Sequence, residues 1–216
     1  MYSFKKKSFS LKMLSFLQEK SKHSYDWELD TSNLQKDSTF SIPPKELIER
    51  CKIVIDSKIG LENEEDLDEM FQFIFPVIGP LSKEEYLKQV RGFALEEMFP
   101  DLYKDLYYNF YVDPYEHDRV WFTSRFINVH SGDGIFGKAT QKLVDCPPQM
   151  NSLKFNEQGK VVQYTGGYVM DKTVGNTGGL GGVFGILYAI GKPLPFPEAQ
   201  PYRKSLLFRL FSWLSR

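Results

Sequence analysis

The chain has 216 residues, of which 42% are hydrophobic, 15% aromatic and 25% charged, with 16 glycines and 12 prolines. This composition excludes wholesale disorder, a collagen-like repeat and a simple coiled coil, and the length suits one domain with tails. The formal charge of −1 conceals an asymmetry: residues 1–18 and 199–216 each hold four basic side chains and no acid, leaving 19 basic and all 28 acidic groups between them. A body at −9 repels nucleic-acid phosphate and speaks against groove or single-strand binding, whereas the two basic ends suit an anionic surface.

Cys51 and Cys146 are too few for a disulfide framework and point to a reducing intracellular compartment. The N-terminus has lysines but lacks the apolar run and small-residue cleavage site of a secretory signal, and its acid-free, Ser/Lys-rich character overlaps with organelle transit peptides.

In chain order, residues 19–43 are polar and read as a linker. From Pro44 to Lys58 a helix is predicted, because Leu47, Ile48, Cys51, Val54 and Ile55 recur at helical spacing behind Pro43-Pro44. An acidic run from Glu62 to Glu69 precedes the short apolar stretch Met70 to Phe75. Ser82-Lys83-Glu84-Glu85 is a capping box that opens a helix with Tyr86, Leu87, Val90, Phe93 and Ala94 on one face. Strand character follows over Leu106–Val112 and Arg119–Val129, the latter read as one long strand. Met150–Phe155 and Val161–Met170 form a hairpin around Glu157-Gln158-Gly159-Lys160. Helices first and an antiparallel meander last argue for an α+β fold.

The order of Phe73-Ile74-Phe75-Pro76-Val77-Ile78-Gly79-Pro80, then Val120 to Gly132, then Leu153 to Val162 with its F-x-x-G-K-V-like hairpin, resembles the nuclear-transport-factor-2-like superfamily, which includes SnoaL-like cyclases and ketosteroid isomerases. The resemblance implies a cone: a curved antiparallel sheet wrapped around N-terminal helices, enclosing an apolar pocket. It divides the chain into a basic tail and linker (1–43), a cone domain (44–171), a Gly/Pro-rich apolar flap (172–201) and a basic amphipathic C-terminal helix (202–216). The isomerases' general-base Asp would precede Pro76, where this chain has Phe75, a residue that cannot take a proton. Their second Asp would fall near Asn151, which can donate a hydrogen bond but cannot act as an acid of raised pKa. The resemblance therefore transfers a cavity rather than an activity, and the catalytic residues stay unassigned.

Strand alternation places Val120, Phe122, Ser124, Phe126 and Asn128 on one face, and the resemblance turns Asn151, Tyr164 and Tyr168 to the same side. With Phe75 these form the expected concavity, either an aromatic ligand pocket with a few polar groups or a filled core with its hydroxyls satisfied internally. His130 with Asp133 is either an acid–base pair at the pocket rim or a solvated loop contact. No metal site is expected from His23, His117 and His130 or from the acidic run. No cofactor is expected either: the glycines between Thr173 and Gly191 miss both the dinucleotide fingerprint and the phosphate-binding loop. That segment reads as a flap packed over the cone or against a partner, its apolar part being too short to span a bilayer.

If Pro201 starts a helix, Ser205, Arg209, Ser212 and Arg216 share a narrow stripe, and Leu207, Phe211 and Trp213 belong to a wide apolar arc. Leu207, Arg209, Phe211 and Trp213 are candidate membrane contacts, helped by Lys5, Lys6, Lys7 and Lys12; the competing reading packs the helix on the body or in an oligomer interface. The partners expected are a small apolar ligand, an anionic membrane surface or a protein met through the termini, and a second copy of the chain. A SnoaL-like pocket protein and a non-catalytic module tethered through its ends are the two functional readings.

Overall fold

The computed structural model describes residues 27, 29–36, 38–102, 106–203 and 205–215. The lysines at 5, 6, 7, 12 and 204, His23 and Arg216 lie outside them. The chain divides into two units, residues 1–37 and 38–216.

In the first unit the segment read as a linker contains a short helix, α1 (Thr31–Lys36). Asp30 starts it: its carboxylate accepts from the Asn33 N–H at 3.2 Å and from the Asn33 amide at 2.6 Å.

The second unit begins with α2 (Pro44–Asp56), which has proline at its first helical position and buries Leu47, Cys51, Val54 and Ile55 along one stripe. A 3-10 turn (Glu64–Asp66) leads into β1 (Leu67–Phe75) and β2 (Ile78–Ser82). The capping box then opens α3 (Lys83–Phe93): Ser82 Oγ accepts from the Glu85 N–H at 3.3 Å, while the Glu85 carboxylate accepts from the Ser82 N–H at 2.9 Å. A single turn, α4 (Leu95–Met98), precedes the strands β3 (Tyr107–Val112), β4 (Arg119–Ser124), β5 (Ile127–Val129), β6 (Leu143–Asp145), β7 (Gln149–Phe155) and β8 (Val161–Val169). Two helices finish the chain, α5 (Gly182–Ala189) and α6 (Leu206–Leu214).

Six strands form a sheet in the order β2-β1-β8-β7-β4-β3, antiparallel except for the parallel β1–β8 pair, and β5 with β6 forms a separate ribbon. The fold is α+β, with the curved, unclosed sheet wrapped over helices that the resemblance implies. The first core, between α2, α3 and the sheet, holds Leu47, Val54, Phe71, Val120, Phe122 and Leu153. A second lies under α5 and the small ribbon, around Met98, Phe99, Phe126, Val144 and Leu187.

Buried Asp66 fastens the first core's open end. Its carboxylate accepts from the Arg50 guanidinium at 2.8 Å, Ser57 Oγ at 2.5 Å and the Asn63 amide at 3.1 Å. Arg50 also donates to the Gly159 carbonyl at 2.7 Å, which joins α2 to the β7–β8 hairpin. The neighbouring acids pair with lysine or arginine: Glu62 with Lys58, Glu64 with Arg91, Glu65 with Lys160, and Glu69 with Lys83. Among the described residues no cluster of ligating side chains could hold a metal ion.

The single strand predicted over Arg119–Val129 is broken after Ser124. The Arg125 N–H donates to the Leu106 carbonyl at 2.9 Å, and the Phe126 carbonyl accepts from the Cys146 N–H at 2.8 Å. Phe126 thereby enters the second core, edge-on to Phe99 at 5.1 Å, while Phe122 stays in the first.

Candidate functional site

A cavity of about 790 Å³ opens between the end of the sheet, α3 and the Gly-rich segment. An aromatic group lines its inner end. The Phe73 and Phe75 rings stack at 4.3 Å, and the Tyr164 ring meets them edge-on at 5.4 and 5.3 Å. Tyr86 closes on Phe73 at 4.9 Å and donates its hydroxyl to the Ile59 carbonyl at 3.2 Å. Aliphatic walls come from Ile78 and Leu81 on β2, Val90 on α3, and Leu180 and Val183 from the Gly-rich segment. These are apolar surfaces whose desolvation favours an apolar occupant.

The glycines of β8 set the wall's shape. Between Ser152–Thr165 and Met150–Tyr168 the β7–β8 register gains one residue, a bulge at Gly166-Gly167. Gly167 has φ +72°, and a Cβ there would stand 2.6 Å from the Phe75 ring. Its N–H is held by Asn151 Oδ1 at 3.0 Å, and the Asn151 amide donates to Ser124 Oγ and the Gln149 carbonyl, each at 3.0 Å. Gln149 Oε1 accepts from the Gly182 N–H at 2.7 Å, which ties the start of α5 to the sheet.

Of the eight expected pocket residues, Phe75, Tyr164 and Tyr168 reach the cavity. The bulge reverses the alternation beyond Gly167, so Tyr168 stands opposite Met150, on the other face from Phe122 and Asn151. It meets the cavity at the rim, with its hydroxyl 3.3 Å from Thr165 Oγ1. Phe122 lies a layer behind, stacked on Phe110 at 5.5 Å. Asn151 and Ser124 form the hydrogen-bonded support just described, and Phe126 belongs to the second core. Asn128 sits on β5, its Oδ1 accepting from the Val129 N–H at 2.7 Å. The eight residues are thus divided between the cavity wall, its backing, the second core and the small ribbon. Residues 170–173, Gly181–Phe184 and Tyr202 join the wall; those from 172 to 184 belong to the segment read as a flap, whereas Met170, Asp171 and Tyr202 are not among the expected pocket residues.

Two of the charged groups at the rim, Lys58 and Asp171, are committed to neighbours. Lys58 Nζ lies 2.8 Å from Glu62 and 2.7 Å from Glu96, and these bonds hold its ammonium protonated far above neutrality. Hydrogen bonds from the Thr173 hydroxyl and N–H keep the Asp171 carboxyl below its ordinary pKa, so it is ionised and weakly basic at neutral pH. Neither is poised for proton transfer. Both cysteines are buried and free, and burial raises their thiol pKa, that of Cys146 to about 12.

His130 is not at the rim. It is fully buried beside Phe99, with Nδ1 accepting from the Thr140 N–H at 3.1 Å, which places the ring proton on Nε2. Asp133 instead accepts from the Ala139 N–H. Burial, reinforced by the charge of Lys192 and partly opposed by Asp133, lowers the His130 pKa. The unfolded chain therefore binds this proton more readily than the folded one, and stability falls as pH drops below about 6.5. Melting temperature measured from neutral pH to about pH 5 should fall more steeply in the native protein than in His130→Gln; parallel curves would refute the assignment.

No family model and no curated protein matches the chain. Solved structures do. A SnoaL-like protein from Jannaschia sp. CCS1 shares 16% identity over 73% of this chain and 97% of its own, with a TM-score of 0.49. AclR from Streptomyces galilaeus shares 17% over 79% of this chain and 92% of its own, with a TM-score of 0.48. An NTF2-like protein from Anabaena variabilis shares 16% over 58% of this chain and 90% of its own, at 0.40. The first of these structures is described as SnoaL-like and the third as NTF2-like. At these identities the likeness is one of fold.

Proposed function

We propose that the protein binds a small apolar ligand in the cavity between Phe75, Tyr164 and the Gly-rich segment. The observation that carries this reading is a volume of about 790 Å³ walled by aromatic and aliphatic side chains. Ligand sites typically measure about 300–1,000 Å³ and are mostly apolar with a few polar groups. The stacked Phe73–Phe75 pair offers edges and faces to a flat ring system. Gly179, Gly181 and Gly182 of the Gly-rich segment bring backbone into the wall between Leu180, Val183 and Phe184, so a ligand can lie close against it.

The test is fluorescence titration with the apolar probe N-phenyl-1-naphthylamine, alongside native mass spectrometry of protein purified without detergent. The native protein should enhance probe emission saturably. Val90→Trp places an indole in the cavity from α3 and should weaken the probe by about tenfold or more, the loss of some 1.4 kcal/mol of contact. Probe binding that is absent, or indifferent to Val90→Trp in a protein of unchanged melting temperature, would reject the cavity as the site.

A further inference from the structure

The C-terminal helix α6 is a formed element that buries no residue against the other described residues. Ser205 caps it, accepting from the Phe208 N–H at 3.1 Å, and no residue of the helix is buried. Leu206, Leu207, Phe208, Phe211, Trp213 and Leu214 are between 68% and 80% exposed. At the helical angular step, Ser205, Arg209 and Ser212 share a narrow stripe, and the apolar side chains spread over roughly 220°. Leaving so many large apolar groups in water is costly, so this surface calls for an occupant.

Charge selects among occupants. The charged residues after Glu198 are Arg203, Lys204, Arg209 and Arg216, all basic. The acidic body of the chain, −9 over residues 19–198, would attract them, yet the helix buries nothing on it. A flat protein surface would cover one side of the helix and leave much of the apolar arc wet. A bilayer interface instead surrounds the arc with acyl chains and presents anionic head groups to the basic stripe. No helix among the described residues is long and apolar enough to cross a membrane, so α6 would lie in the plane of the surface.

We infer that α6 is an interfacial anchor for anionic membranes, with Leu207, Phe211 and Trp213 in the acyl boundary and Arg203 and Arg209 at head-group level. Tyr202 and Glu198 line the cavity just before the helix, so anchoring brings that end of the cavity towards the head groups. The inference stands apart from the ligand reading: vesicle binding needs no ligand, and ligand binding needs no vesicle.

Cosedimentation of the full chain with phosphatidylcholine vesicles, with and without phosphatidylserine, tests it. The protein should pellet with the mixed vesicles at low salt and stay in the supernatant with phosphatidylcholine alone. Phe211→Asp with Trp213→Asp should lower the partition coefficient by about tenfold or more, and Arg203→Glu with Arg209→Glu by a similar factor. Molar salt should release the native protein, since it shortens the screening length to about 3 Å. Because α6 supports no core, these variants should keep the native melting temperature. Failure to pellet with the anionic vesicles, or pelleting indifferent to the variants, overturns the inference. So does a concentration-dependent dimer abolished by Phe211→Asp with Trp213→Asp, which assigns the helix to a second copy of the chain.

Discussion

Replacing Phe126 with alanine is expected to cost about 3–5 kcal/mol of stability and to leave probe binding in the cavity unchanged. Phe126 follows Ser124 by two residues and continues its alternation, so by pattern alone it would face the same space as Phe122. The chain instead leaves the main sheet at Arg125, and the Phe126 ring stands edge-on to Phe99 among Met98, Val144 and Leu187. Deleting it removes the aromatic–aromatic contact and opens a void that the surrounding second core can close only partly. Urea unfolding measures the stability term, and N-phenyl-1-naphthylamine titration the other. A variant that is nearly as stable as the native protein, but binds the probe with altered affinity, would return Phe126 to the pocket.

The second large effect is expected at Gly167. An L-residue in the left-handed region costs about 1–2 kcal/mol, and overpacking adds about 1–3 kcal/mol. Alanine at φ +72° would also set its Cβ 2.6 Å from the Phe75 ring, so Phe75 must leave its stack on Phe73 or the bulge must open. Gly167→Ala should therefore lose about 3 kcal/mol of stability and weaken probe binding as well, because the displaced ring belongs to the cavity wall. Gly92→Ala is the matched control. It lies in α3, where a Cβ meets nothing within 4 Å, and should stabilise the protein by about 0.5–1 kcal/mol. Equal effects at the two glycines would show that Gly167 does not support the Phe75 ring.

Signals confined to a few residues were legible in the sequence. The Ser82–Glu85 box, the stripe of α2, the Gly159 turn of the β7–β8 hairpin and the arc of α6 each depend on side chains within a turn or two of one another. What could not be read depends on partners far along the chain. The break after Ser124 is made by the Leu106 carbonyl and the Cys146 N–H, and nothing in Phe122-Thr123-Ser124-Arg125-Phe126 interrupts the period-two pattern. The paired glycines at 166 and 167 did carry a usable sign, because glycine inside a strand often marks a bulge. Taken as a bulge, they would have turned Tyr168 away from Asn151. Helix α5 was hidden by its own composition, since Gly182 and Gly185 count against a helix until tertiary contacts such as the Gln149–Gly182 bond are known. Asn151 is a residue of the support behind the wall, bonded to the Gly167 N–H, Ser124 and the Gln149 carbonyl.

The parallel pairing of β1 with β8 has a kinetic consequence. Phe73 aligns with Tyr164, so the first strand of the sheet acquires its inner neighbour from the last. Contacts between such distant segments form late, because a long loop must close before they return any free energy. During synthesis from the N-terminus, β1, β2 and α3 exist as a hairpin and helix with Phe73, Phe75 and Tyr86 still wet. They wait until β7 and β8 emerge and the Gly-rich segment follows. The cavity is thus completed late, once the Gly-rich segment has followed β8, and a nascent chain stopped before residue 161 would present its aromatic wall to any chaperone that recognises exposed rings.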